Sequence, residues 1–147
     1  MKKTTTKKRS ILKNKTLIIG CGRLGSSMAN KCAAERKNIV VVDKDADAFD
    51  RLADTFGGFT IAGDSTDLSI LEEAYISSAK EVIITTGDDN INLYLAHVAR
   101  KIYDVPEIYV RLDNPENEVL LKGLNVKAIF PFELSYDKFN LLRGGHK

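Results

Sequence analysis

The sequence predicts an α/β chain whose core is a doubly wound, parallel sheet of six strands with helices on both faces. Two observations carry this. Short β-branched or apolar runs alternate with longer amphipathic stretches from residue 16 onward, and glycine, asparagine or aspartate punctuates nearly every junction. Several runs, such as Ile39-Val40-Val41-Val42, are apolar without alternation, the pattern of a strand covered on both sides.

Taken in order, strands are expected at 16–19, 39–42, 59–62, 81–85, 107–112 and 127–130. The helices between them are expected at 24–36, 45–56 and 67–75, from 88 or 89 to 103, from Pro115 onward, and at 133–142. Over 45–56, Ala46, Phe49, Leu52, Ala53 and Phe56 fall on one helical face, and Gly57-Gly58 ends the run. Thr66 or Asp67 caps the third helix and Asp88 or Asp89 the fourth, whose apolar stripe is Ile91, Leu95, Val98 and Ile102. Pro115 suits a first helical turn, where its missing N–H costs nothing. Right-handed crossovers favour the strand order 3-2-1-4-5-6, with ligands bound beyond the carboxyl ends of the strands where that order reverses.

Composition bounds the remaining choices. The chain has 147 residues, enough for one hydrophobic core, and apolar and charged fractions of 44% and 29%. No apolar run reaches the ~20 residues of a membrane-spanning helix. Residues 1–15 contain Lys2, Lys3, Lys7, Lys8, Arg9, Lys13 and Lys15 and no acid, and read as a basic, solvated arm rather than a secretory signal. From Thr16 to Lys147, read as a single nucleotide-binding domain with no second ligand domain, 15 basic residues face 20 acidic ones. That balance argues against a nucleic-acid surface. Cys21 and Cys32 have neither metal-ligand spacing nor a disulfide pattern, which suits a reducing, cytoplasmic setting.

The candidate site follows the first strand. In Gly20-Cys21-Gly22-Arg23-Leu24-Gly25, Gly20 makes the tight turn, Gly22 lets backbone approach a diphosphate, and Gly25 lets helix pack on strand. The free N–H groups and dipole of the following helix then face the phosphates. This is the Rossmann-type context in which such a motif gains meaning. Asp43 stands at the end of the second strand, eighteen residues past Gly25, placed to accept from ribose hydroxyls; Lys44 beside it leaves the dinucleotide preference open. After the third strand, Asp64 and Ser65 are expected at the adenine rim, although Gly63-Asp64-Ser65-Thr66 also reads as an ordinary turn and cap. Thr86 and Gly87 bring backbone close to the ligand after the fourth strand.

Together with Val41-Val42-Asp43-Lys44, Gly63-Asp64-Ser65-Thr66-Asp67, Thr86-Gly87-Asp88-Asp89 leading to Asn92, and Val110-Arg111-Leu112-Asp113-Asn114-Pro115, this motif resembles the N-terminal regulatory domain of the Trk/Ktr and RCK potassium-transport regulators, the TrkA-N type. Leu124-Asn125-Val126 before Ile129-Phe130-Pro131 fits the same pattern, with asparagine where the family usually has glycine. The resemblance implies binding of NAD(H) or ATP/ADP at the glycine turn, with Asp43 on the ribose. It places Arg23 near phosphate, reaching across a dimer, and Arg111 facing the phosphates. It further implies pairing into a homodimer or higher ring through the fourth and fifth helices, and a potassium-transporter membrane subunit as partner. The setting implied is cytoplasmic, peripheral to the inner face of the membrane.

An enzyme is the alternative, as an NAD-dependent oxidoreductase, and a redox sensor using Cys21 is another. The chain has only two histidines, His97 and His146, no Tyr-x-x-x-Lys pair and no room for a substrate domain beside six strand–helix units. A non-catalytic regulator is the expectation.

Overall fold

The computed structural model describes residues 12–35 and 38–145. Residues 1–11, most of the basic arm, lie outside that range, as do Arg36 at the end of the expected first helix, and His146.

Six parallel strands form one sheet: β1 (Lys15–Ile19), β2 (Ile39–Asp43), β3 (Phe59–Ala62), β4 (Ala79–Ile84), β5 (Glu107–Arg111) and β6 (Lys127–Ile129). Their order is β3-β2-β1-β4-β5-β6, as the crossover argument requires. Among the described residues four α-helices accompany them: α1 (Arg23–Glu35), α2 (Leu68–Glu73), α3 (Asp89–Lys101) and α4 (Pro131–Leu142).

Side-chain alternation along the central strands divides the core in two. Leu17, Ile19, Val40, Val42, Val82 and Ile84 face a layer containing Leu71, Leu95 and Ala96 from α2 and α3. Ile18, Ile39, Val41 and Ile83 face the other way, against Ala29 of α1 and Ala48. Both sheet faces are therefore dry, which is why these strands read as continuous apolar runs.

Three expected helices change form. The stretch 45–56 is helical only over Ala46–Arg51, and there as a 3₁₀ helix, with Asp45 capping it through Asp47 N–H. Its small apolar set explains the shortening. Ala48 is buried and Phe49, Leu52 and Phe56 pack against the core, whereas Ala46 and Ala53 are exposed. A full helix would have had to bury a stripe that the structure does not use. The helix expected at 67–75 ends at Glu73, since Tyr75 adopts a left-handed conformation (φ 65°) before a short 3₁₀ turn at Ile76–Ser78. Pro115 does open a helix, but again a 3₁₀ one, Pro115–Leu121, capped by Asn114. Asn125 has φ 57°, a conformation that glycine reaches without a Cβ penalty and asparagine tolerates better than most residues.

The last helix differs from the others. α4 begins at Pro131, two residues earlier than expected, and none of its residues is buried. Phe132, Leu134, Tyr136, Phe139, Leu141 and Leu142 are all at least half exposed, so this helix adds nothing to the core that the first five strand–helix units build.

Candidate functional site

The crevice opens between β1 and β4, where the strand order reverses. Gly20 stands one residue beyond β1 with φ 101°, a conformation costly for any residue with a Cβ. Its N–H donates to Val42 O at 2.8 Å, so the turn is hung from β2. A Cβ on Gly25 would collide with the Gly20 carbonyl and with Thr85 Oγ1, which fixes how closely α1 approaches β1. A Cβ on Gly22 would meet nothing within 4 Å: this is the open side of the turn, toward the crevice. Thr85, almost wholly buried, braces the turn from beneath, its Oγ1 donating to the carbonyls of Ile19 and Gly20 at 3.1 Å each.

Asp43 is joined to the same turn. Its Oδ2 accepts from Cys21 N–H at 2.7 Å and its Oδ1 from Asp45 N–H at 2.8 Å. Each carboxylate oxygen has a second lone pair, so Asp43 still has acceptor capacity for a pair of hydroxyls. The acid and the glycine bend are thus one rigid unit. Cys21 itself points into the core and is fully buried. Burial, and secondarily the Asp43 carboxylate, push its thiol pKa up, against a smaller opposing influence from Arg51. The thiol stays protonated at neutral pH.

A cavity of about 500 Å³ lies over this unit, within the range that holds a small organic ligand. Ile19 at the end of the first strand and Gly20 and Gly22 in the turn after it form its floor, and Val42, Asp43 and Lys44 one wall. Asp64, Ser65 and Thr66 make the rim on that side; Thr85, Thr86, Gly87, Asp88, Ile91 and Arg111 close the other. Nine of the residues expected from sequence therefore meet in one cavity. Cys21, Arg23, Leu24 and Gly25 do not line it: the first and last shape the turn from behind, while Arg23 is exposed at the start of α1. At the rim, Asp64 Oδ1 accepts from both the N–H and the hydroxyl of Thr66, at 2.9 and 2.7 Å. Those bonds, the backbone one first, with help from nearby Lys44, hold its carboxyl below the usual carboxylate range.

On the far wall, Arg111 leaves β5 and forks onto Asp113, Nε to Oδ1 at 2.8 Å and Nη2 to Oδ2 at 3.2 Å. Its guanidinium also lies 5.9 Å from the Phe132 ring centroid at the start of α4. Asp88, not Asp89, caps α3, accepting from Asn90 and Ile91 N–H. Asp89 instead turns toward the β5 exit loop and accepts from Asp113 N–H (2.8 Å), Asn114 N–H (3.0 Å) and Asn117 Nδ2 (3.0 Å). Partial burial alone would raise its pKa; these donors and nearby Arg111 outweigh that and lower it. The bracing roles of Thr85, Asp89 and Asp113 are absent from the sequence reading, because each depends on a partner on another strand or loop.

A doubly wound parallel sheet whose glycine turn faces the reversal crevice defines a Rossmann-type domain. Within that class, residues 16–131 match the family model of the TrkA-N domain, and the chain belongs to that family. Among curated proteins it is 31% identical over 113 residues to the Trk system potassium uptake protein TrkA of Streptomyces coelicolor, covering 77% of this chain and 51% of that one. It is 30% identical over 113 residues to the TrkA homolog of Methanothermobacter thermautotrophicus, covering 77% and 52%. The chain thus spans about half the length of these relatives. Among solved structures, the TrkA-N domain of inner membrane protein ybaL from Escherichia coli superposes with a TM-score of 0.75 at 22% identity, covering 89% of this chain and 98% of that one. The GsuK channel bound to NAD gives 0.75 at 24%, covering 88% and 23%. GsuK has also been solved bound to ADP. At these identities the structural likenesses establish the fold.

Proposed function

We propose that this chain is the nucleotide-binding regulatory part of a potassium-uptake system, with residues 16–147 forming its nucleotide-binding domain. The observation that carries the reading is the rigid unit of Gly20, Gly22, Gly25 and Asp43: backbone open to a diphosphate on one side, and a carboxylate with free lone pairs tied to the same turn. NAD(H) or ATP/ADP is the ligand class; the diphosphate lies on Gly22 and the first turn of α1, the ribose on Asp43, the adenine toward Asp64 and Ser65, and Arg111 meets the phosphates from the far wall. NAD and ADP in GsuK structures support this ligand class.

The domain acts by binding rather than catalysis. Nucleotide shifts an equilibrium between two arrangements of a dimer or ring, which requires unequal affinity for the two. Pairing runs through α3 and the 3₁₀ helix 115–121, where Ile102, Val119 and Leu120 are more than half exposed and Tyr94 is also exposed. α4 offers a second apolar surface that an assembly would cover. The partner is a potassium-transporting membrane subunit, and the domain sits on the cytoplasmic side of the membrane beside it; no described helix is long and apolar enough to cross a membrane. The redox alternative is disfavoured by the buried, protonated Cys21 thiol. The oxidoreductase alternative gains nothing from His97, whose Nε2 lies 3.0 Å from Leu120 O, away from the cavity.

Calorimetry with NADH, NAD, ADP and ATP tests the ligand, and co-purification from native membranes tests the partner. Failure of all four nucleotides to bind refutes the reading.

A further inference from the structure

Asn92, on the first turns of α3, is wholly buried. Its Nδ2 donates both hydrogens, to Thr86 O at 3.0 Å and to Arg111 O at 2.9 Å. Its Oδ1 accepts from the Thr86 hydroxyl. This orientation is fixed, because a flipped amide would set an oxygen against two carbonyl oxygens. With no solvent access, no water replaces these bonds.

The two carbonyls belong to neighbouring strand ends on the far wall of the cavity, Thr86 beyond β4 and Arg111 at the end of β5. The β4–β5 ladder ends at the pair Ile84 and Val110, so Thr86 and Arg111 both lie beyond the last backbone pairing between those strands. Asn92 spans the gap that the ladder leaves. Three residues earlier on the same helix, Asp89 accepts from Asp113 N–H, and Asp113 in turn grips the Arg111 guanidinium. Arg111 is therefore held at its carbonyl by one α3 side chain and at its head, through Asp113, by another.

We propose that Asn92 is a positioning residue for ligand binding: by bridging Thr86 O and Arg111 O it sets the guanidinium of Arg111 at the depth where it meets phosphate. This rests on the nucleotide reading above for its ligand, but not for the bridge itself. Asn92 touches no ligand. Its effect passes through Arg111, so it discriminates ligands by phosphate charge and not by adenosine.

The test uses the full chain with Asn92→Ser, Arg111→Ala and the double variant, titrated with ADP and with adenosine, alongside the NMR resonance of the Arg111 Nε–H without ligand. Asn92→Ser is expected to weaken ADP about ten-fold, the worth of one charge-assisted hydrogen bond, and adenosine less than about two-fold. In the Arg111→Ala background the same change has no further effect on ADP. The Arg111 resonance moves toward its solvent position in the variant. Should Asn92→Ser not fold, Asn92→Gln keeps the amide, displaces it by one methylene and is read the same way. Equal loss of ADP and adenosine, a loss that persists without Arg111, or an unmoved Arg111 resonance overturns the proposal. If wild-type protein binds neither ligand, the nucleotide reading fails separately and the resonance alone decides the bridge.

Discussion

Replacing Asp43 with asparagine tests the link between the glycine turn and the sugar. In the native protein each carboxylate oxygen already accepts one backbone N–H, from Cys21 and from Asp45. An amide has one acceptor oxygen, so one of those N–H groups would face an NH₂ instead. The loss of one such bond to a charged acceptor costs about 1.5–3 kcal/mol, and a melting point lowered accordingly is the first expectation. For the ligand, the remaining lone pairs now sit on a neutral oxygen, and a similar energy lost on the ribose corresponds to about ten- to hundred-fold in affinity. Because the turn itself is disturbed, a fall in ADP affinity alone would be ambiguous. The decisive comparison is between ADP and its analogue lacking both ribose hydroxyls, by calorimetry. Native protein is expected to prefer ADP by about ten-fold or more, and Asp43→Asn to prefer it by less than about three-fold. An undiminished preference in the variant would refute the placing of ribose on Asp43, whatever happened to stability.

Other changes probe the remaining parts. Gly25→Ala forces a methyl onto the Gly20 carbonyl and Thr85 Oγ1, and should cost about 1–3 kcal/mol in denaturant unfolding and abolish nucleotide binding, since backbone rather than a flexible side chain is in the way. Asp89 has a lowered pKa, so its contribution is complete above the unfolded carboxylate value near 4 and disappears as pH falls through the folded value. Unfolding followed against pH should therefore show Asp89→Asn less stable than native protein at neutral pH, with the gap closing in acid. Arg23 is exposed and lines no part of the cavity, so Arg23→Ala should leave the melting temperature unchanged and weaken ATP more than adenosine if its reach is to phosphate across a dimer. Val119→Asp places a charge on the proposed pairing surface, where the native side chain is 67% exposed, and should lower the mass seen by light scattering without lowering monomer stability.

What the sequence by itself determined was whatever depends on local chemistry: the strand runs of unbroken β-branched residues, the glycine motif and its acid at the next strand end, the short stretches in which the caps lie, and hence the sheet order. Backbone conformation and short-range periodicity carry that information. The tertiary structure alone decided the rest. The stretch 45–56 has a helical pattern, yet its length was set by how little of it the sheet face accepts. α4 has the apolar content of a core helix and no core to enter. Asp89 looks like a cap and is a brace, because Asp88 reaches the free N–H groups first and the β5 loop supplies Asp89 with other donors. Asn92 becomes a bridge only once β4 and β5 bring Thr86 and Arg111 side by side. Such roles arise from partners brought together by the fold across long stretches of sequence, and no spacing along the chain encodes them.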